Sequence, residues 1–284
     1  MTVRNFYQII ANADDFGRHE LINKAVEEAY AKGCLRSATV MPGGVAFAGA
    51  IDIAKRNPGL GLGIHLTLVN GNPLLPPEQI PSLVTKDGLF YDDYLQFVKH
   101  FFAGKIKLEE VRRELTAQMD KVLATGVTLS HIDSHQHMHT MPGIIDIALA
   151  LAKKANISAV RIPQTPMFTG FNGNPVQLGG RMGLYTMATL SRRKAKAQGF
   201  RCPQHFAGIV AGEAVNTKHL MDIIQNLKPG TTEIMVHPGT DNKILQDFCQ
   251  WDHDFEAELA ALTSPEILAV LAKKQVKIGN YTNL

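Results

Sequence analysis

Short apolar runs alternate with amphipathic, helix-length segments along almost the whole chain, and this alternation restricts the fold more than any other feature. Runs at 7–11, 37–41, 60–68, 128–133, 159–162, 206–210, 233–237 and 276–279 have the length and apolar character of buried strands. After the first, Leu21, Ile22, Ala25, Val26, Ala29 and Tyr30 recur with a helical 3.6-residue period, and Gly33 closes that helix. Further helices are expected over 45–56, 91–102, 108–124, 142–155, 184–198, 217–227 and 265–274. Strand then helix, repeated, implies a parallel sheet covered by helices, because each crossover must return the chain in the same direction. About eight such units favour an α/β fold closed into a distorted or incomplete (β/α) barrel over an open sheet. The expectation is one barrel domain over residues 1–284, with loop insertions near 69–105 and 164–205. The first insertion carries Pro73, Pro76, Pro77 and Pro81 and should be irregular up to residue 90.

Composition removes several function classes. An apolar fraction of 45% with 19% charged residues excludes disorder and coiled coil. Net charge is +3, and the longest basic run is Arg192-Arg193-Lys194, which excludes generic nucleic-acid binding. No run approaches the ~20 apolar residues of a membrane span. Cys34, Cys202 and Cys249 are scattered and odd in number, which fits a reducing cytoplasm better than a disulfide framework.

The unusual polar residues fall at the carboxyl ends of expected strands, the end that carries the active site in (β/α) barrels. Asp14 and Asp15 follow the first strand, His65 ends the third, a histidine run follows the fourth, and His237 ends a late one. That run, 131–139, places His131, Asp133, His135, His137 and His139 at alternate positions, one face of an extended chain. Imidazoles with a carboxylate pack a core poorly but bind zinc and its neighbours well. A polar loop with capping or core histidines is the competing reading. Adjacent Asp14 and Asp15 can be helix caps, or can divide labour between holding a cation and taking a proton. Arg161 ends another strand and suits an ion pair, either with a site carboxylate or purely structural. Trp251, the single tryptophan, carries no readable signal.

NADDFG (12–17), GIHLTL (63–68), HIDSHQHMH (131–139), VRIP (160–163) and MVHPG (235–239) run in an order that resembles the YdjC-like carbohydrate deacetylases. The resemblance covers most of the chain. It implies a distorted (β/α) barrel of the deacetylase kind that removes N-acetyl groups from amino sugars with a divalent metal. It matches Asp15, His65 and His135 to the metal ligands, Asp14 to the general base and His237 to the general acid. His131, Asp133, His137, His139 and Arg161 are then expected around the ligands or in the sugar site. Zinc is the first expectation from ligand type, with magnesium or manganese as alternatives. Segments 71–84 and 201–209 lean towards the hopanoid-associated branch of the family rather than the chito-oligosaccharide branch.

The implied partner is an N-acetylated sugar, on an oligosaccharide or a glycolipid, with no nucleic acid. A homodimer is compatible with the sequence. The helix expected over 184–198 joins apolar residues to Arg192, Arg193, Lys194 and Lys196, which would suit an anionic membrane surface and a lipid-linked sugar. Packing on the barrel with a solvated basic tail is the plainer reading. Two other functions compete: a metal-independent glycosidase using Asp14 and Asp133 as a carboxylate pair, and a silent sugar- or metal-binding protein.

Overall fold

The computed structural model describes residues 6–164, 175–209 and 214–284. Its centre is a curled sheet of parallel strands. In chain order these are β1 (Tyr7–Phe16), β2 (Leu35–Val40), β3 (Gly61–Leu66), β4 (His131–Ser134), β5 (His205–Ala207), β6 (Gly230–Val236) and β7 (Lys277–Ile278). The strand order is β4-β3-β2-β1-β6-β5. Beyond β4 the ring continues through single parallel bridges, Ile132 to Val160 and Ala159 to Arg201. Arg201 lies just ahead of β5, so the sheet bends round into a distorted barrel. The strand expected over 159–162 is reduced to these bridges, and part of the run expected over 206–210 lies outside the described residues.

The eighth expected unit is not a regular member of the ring. β6 pairs with β1 over residues 7–13, so β7 and β2 must share the other edge of β1. β7 takes residues 8 and 9, and β2 takes it from Ala11 onward. β7 is therefore a wedge at the amino end of the barrel. Tyr281 follows it and stacks on His131, with ring centroids 3.6 Å apart. Gly63, opposite His131 in the β3–β4 register, makes room for that stack: a Cβ there would lie 2.4 Å from the imidazole.

Ten helices are described. In chain order they are α1 (Glu20–Lys32), α2 (Phe47–Arg56), α3 (Tyr94–Phe102), α4 (Leu108–Leu123), α5 (Ile144–Lys154), α6 (Pro175–Ala197), α7 (Thr217–Gln225), α8 (Asn242–Cys249), α9 (Phe255–Thr263) and α10 (Pro265–Lys273). α1 buries Ile22, Ala25, Val26 and Ala29 of the anticipated stripe; Leu21 and Tyr30 are half-buried at its margin. α8 and α9 were not expected, because their segments mix polar and apolar residues without a long stripe. α6 begins nine residues before the expected 184; residues 165–174 of the expected insertion lie outside the described residues.

Side chains of β1 alternate between two environments, as a strand buried on both faces requires. Ile9, Ala11 and Ala13 join the apolar layer under the helices, whereas Ile10 packs with Ala159 and Tyr281 inside the ring. Asn12 and Asp14 share the inward phase of Ile10. The proline-rich segment after β3 is irregular, as expected, but well tethered. Glu110, Glu114 and Gln118 form an i, i+4 row along α4, and all three are buried. Glu110 accepts from Ser82 N, Glu114 from Leu74 N and Leu75 N, and Gln118 from Thr67 N. One helix face thus satisfies backbone donors that a loop buried there would otherwise leave unpaired.

Candidate metal centre and catalytic site

Adjacent residues of a regular strand point to opposite faces, so Asp14 and Asp15 could not ordinarily serve one site. The chain breaks the alternation at Asp15, which has a left-handed φ of 59°. The β1–β2 register also slips between Ala13 and Phe16. Such a conformation is costly for a residue with a Cβ and persists only where the surroundings enforce it. Here Gly17 N donates to the buried Asn23 Oδ1 of α1 at 2.8 Å, and Asn23 Nδ2 donates to Ala46 O at 3.0 Å. Arg18 Nη1 donates to Asp15 Oδ2 at 2.8 Å, while its Nη2 reaches Asn70 Oδ1 in the first insertion. Oδ1 of Asp15 is left facing inward.

Two imidazoles converge on that oxygen. His65 Nε2 lies 3.3 Å from it and His135 Nδ1 2.9 Å. His65 Nδ1 faces Asp133 Oδ1 at 2.7 Å, which places a proton on Nδ1, so that in the neutral ring Nε2 carries a lone pair aimed at Asp15. Asp15 Oδ1 and His65 Nε2 are buried and neither has a hydrogen bond. Two lone-pair atoms opposed in a buried site are stable only with a cation between them, a proton or a metal ion. The electrostatics agree. Burial disfavours charge on His65, yet Asp133 and Asp14 outweigh it and push the pKa up to about 10. Burial also raises Asp15, but His135 and Arg18 hold it well below the usual carboxylate range. The donor set, one carboxylate oxygen and two imidazole nitrogens, fits a divalent cation.

Beside this cluster, Arg161 is fully buried and binds three carboxylates. Its Nη1 and Nη2 donate to Asp14 at 2.5 and 2.6 Å, its Nη1 lies 2.8 Å from Asp133, and its Nε donates to Glu233 at 2.7 Å. A second chain of bonds runs from Ser37 Oγ to Asn12 Oδ1, and from Asn12 Nδ2 to Asp14 and Thr39. Thr39 Oγ1 in turn donates to Asp133 Oδ2 at 3.0 Å. Burial raises Asp133, but Arg161 and His65 hold its carboxyl well below the usual range. Burial pushes Glu233 up to about 7 against the pull of Arg161.

The histidine run does not share one face. β4 ends at Ser134, and Gln136 and His137 take left-handed φ values of 49° and 59° in the turn that follows. His131 and Asp133 therefore point into the ring, while His135 swings to Asp15. His139 Nδ1 meets Ser134 Oγ at 2.6 Å and its Nε2 meets Arg161 O at 2.9 Å, so it braces backbone. His137 packs edge-on to Phe206, and its buried Nδ1 has no hydrogen bond. Burial keeps all four of these histidines below the usual imidazole pKa, His131 down to about 3 and His139 to about 4.

His237 follows β6 on the same side of the sheet, partly exposed. Its backbone N–H donates to the buried Glu258 of α9. Burial lowers its pKa, with Asp14, Glu258 and Asp15 pulling the other way. Around it stand three residues that the sequence reading passed over: His253, Glu258 and Trp251. Nearby, a cleft of about 390 Å³ opens against His253, between Asn216, Asn242 and Asp254; none of the Asp15 cluster lines it. Asn12, Arg18, Ser37, Thr39 and Glu233 were also missed. A glutamate inside an apolar strand was the readable signal for Glu233; the others look like ordinary polar residues until the strands are registered.

The chain is similar to known proteins over nearly its whole length. The family described as YdjC-like protein matches residues 8–273. A carbohydrate deacetylase of Thermoanaerobacter pseudethanolicus is 29% identical over 276 residues, covering 97% of this chain and 98% of that protein. One from Listeria welshimeri is 30% identical over 283 residues, covering 98% and 100%. Among solved structures, an Enterococcus faecalis protein, assigned provisionally by its name to cellobiose-phosphate cleavage, superposes with a TM-score of 0.72. It is 27% identical and 98% of each chain is covered.

Proposed function

We propose, from the premise that this chain belongs to the YdjC-like protein family, that it is a carbohydrate deacetylase dependent on a divalent cation. It hydrolyses the N-acetyl amide of an amino sugar, on an oligosaccharide or a glycolipid, to acetate and the free amine. The observation that carries the reading is the meeting of Asp15, His65 and His135 at one buried point beside Asp14. The names of the Thermoanaerobacter and Listeria relatives support the substrate class.

Asp15, His65 and His135 would hold the cation, zinc by ligand type, with magnesium or manganese as alternatives. When bound, the cation would supply Lewis acidity to the attacking water and the acetyl carbonyl. Asp14 accepts the water proton as attack proceeds. Arg161 grips both of its oxygens and fixes its direction. His237, whose pKa burial lowers, acts as the general acid by passing to the leaving nitrogen the proton that Asp14 has taken from water. Asp133 orients His65 through Nδ1, and His137 and Phe206 would border the sugar. Three free cysteines suit a cytoplasmic protein.

A carboxylate-pair glycosidase fits less well. Asp14 and Asp133 share one guanidinium nitrogen, and Asp133 is held too acidic to keep the proton a general acid must donate. The test is acetate release from a panel of N-acetylated oligosaccharides and glycolipids, with and without chelator. Asp15→Ala, His65→Ala and His135→Ala should each lose cation and activity together. Full turnover by protein shown to be metal-free by elemental analysis would refute the reading.

A further inference from the structure

Trp251 follows Gln250, whose left-handed φ of 51° caps α8 and turns the chain outward. The indole is held on several sides. One face stacks on His253, with ring centroids 3.9 Å apart and planes at 20°. His253 is itself buried, with Nε2 3.3 Å from Glu258 Oε1, and Phe255 abuts the indole edge-on at 5.6 Å. The loop is also pinned: Trp251 N donates to Gln246 O, and Trp251 O accepts from His253 N. Yet the side chain remains 39% exposed. Because His253 covers one face, that exposure belongs to the opposite face and the rim. His237 stands next to it, perpendicular, at 5.1 Å.

A rigid, half-covered aromatic ring beside a candidate catalytic imidazole matches the shape of a pyranose. The face of such a ring that presents C–H groups packs on an aromatic surface, while its hydroxyls stay free for polar partners. Holding the indole in place before the ligand arrives removes the ordering cost of binding.

We propose that the free face of Trp251 is the stacking platform for the N-acetylated pyranose ring, setting it so that the nitrogen faces His237. The assignment rests on the reading of His237 as the donor to the leaving amine. It makes Trp251 a determinant of sugar binding that the reaction chemistry itself does not require.

Trp251 is the only tryptophan in the chain, so its emission reports this one position. The experiment titrates the wild-type protein with N-acetylglucosamine and its β-1,4-linked dimer and trimer, following tryptophan fluorescence, and measures acetate release from the same sugars. A saturable emission change is expected, with a midpoint near KM where there is turnover. Trp251→Ala should raise KM roughly tenfold, since an aromatic stack made equally in ground and transition states acts on binding alone. Its kcat should stay within about threefold, and Trp251→Phe should recover most of the KM. Emission that stays flat across the titration overturns the proposal, as does a Trp251→Ala protein with wild-type KM. An emission change without acetate release from these sugars or from the wider panel of N-acetylated oligosaccharides and glycolipids would uphold the platform and refute the deacetylase reading instead.

Discussion

Replacing Arg161 with Met removes the one cation that three buried carboxylates share. Asp14 is gripped at 2.5 and 2.6 Å, Asp133 lies at 2.8 Å and Glu233 at 2.7 Å, and Arg161 is itself 0% exposed. Met fills similar length but carries no charge and no donor. Stripping the partner from one buried charge costs about 3–5 kcal/mol. Losing three contacts does not triple that figure, because carboxylates left unpaired can take up protons and become neutral. At pH 8, where protons are scarce, we expect a loss of at least about 4 kcal/mol, roughly 10 °C in Tm. The pH dependence then follows with a definite sign. Without Arg161, burial raises the folded-state pKa of Asp133 above its unfolded value near 4. The folded state then binds more protons than the unfolded state at mildly acidic pH, so the variant gains stability as pH falls. In the wild type Asp133 is held low and gains nothing there; Glu233, already up at about 7, gains in both proteins. The gap between wild type and variant should therefore narrow by about 2 kcal/mol from pH 8 to pH 5.5. Urea unfolding followed by circular dichroism at the two pH values, with chelator present, measures it. A variant within 1 kcal/mol of wild type at pH 8, or a gap independent of pH, would refute the account of the barrel interior.

Asp14→Asn should keep its cation and lose turnover by roughly 10²–10⁴, as expected for a general base; an empty site or normal turnover would overturn that division of roles. On α6, Lys194 is tied to Asp146 and Arg192 to Pro203 O, which leaves Arg193 and Lys196 beside the exposed Met182, Tyr185 and Leu190. For a lipid-linked substrate, wild type should sediment with anionic vesicles at low salt, and a variant with Arg192, Arg193, Lys194 and Lys196 changed to Gln should not. Absence of wild-type binding, with high turnover on soluble sugars, moves the substrate to free oligosaccharides.

Alternation of short apolar runs with 3.6-period stripes was enough to read the parallel sheet, because those periods report burial directly. That Asp14 and Asp15, His65, the histidine run and His237 lie at one end of the barrel was legible from their common place after strands, since a parallel barrel brings all carboxyl ends to one side; the choice of Asp15, His65 and His135 among them came from the family resemblance. What escaped was whatever depends on departure from a regular period. The alternate spacing of His131 to His139 pointed to one shared face, but left-handed Gln136 and His137 turn the chain after Ser134 and divide the five residues among three jobs. β7 has the composition of a ring strand, yet β2 already occupies most of its edge on β1. Trp251, His253 and Glu258 meet His237 because the segment from the end of α8 into α9 returns to the residues after β6, where Gly239 N donates to Phe255 O and His237 N to Glu258, a contact that no local pattern announces.

The charges of the interior give a reason for the whole arrangement. Within the network around Arg161 and the Asp15 cluster, the buried carboxylates Asp14, Asp15, Asp133 and Glu233 face two buried guanidinium groups, Arg18 and Arg161; the buried Glu110, Glu114 and Glu258 lie outside it. Formally the site is two charges short of neutral, a costly state in a medium of low dielectric constant. The His65 pKa, pushed up to about 10 by Asp133 and Asp14, and the Glu233 pKa, pushed up to about 7 by burial, mark two places along this carboxylate network where a proton is favoured. A divalent cation between Asp15, His65 and His135 would supply the same two charges at one point. It would let His65 stay neutral as a ligand and Glu233 ionise against Arg161. The buried charge network is then more than a scaffold for Asp14. It carries a formal deficit of two charges, the charge that a divalent cation would supply.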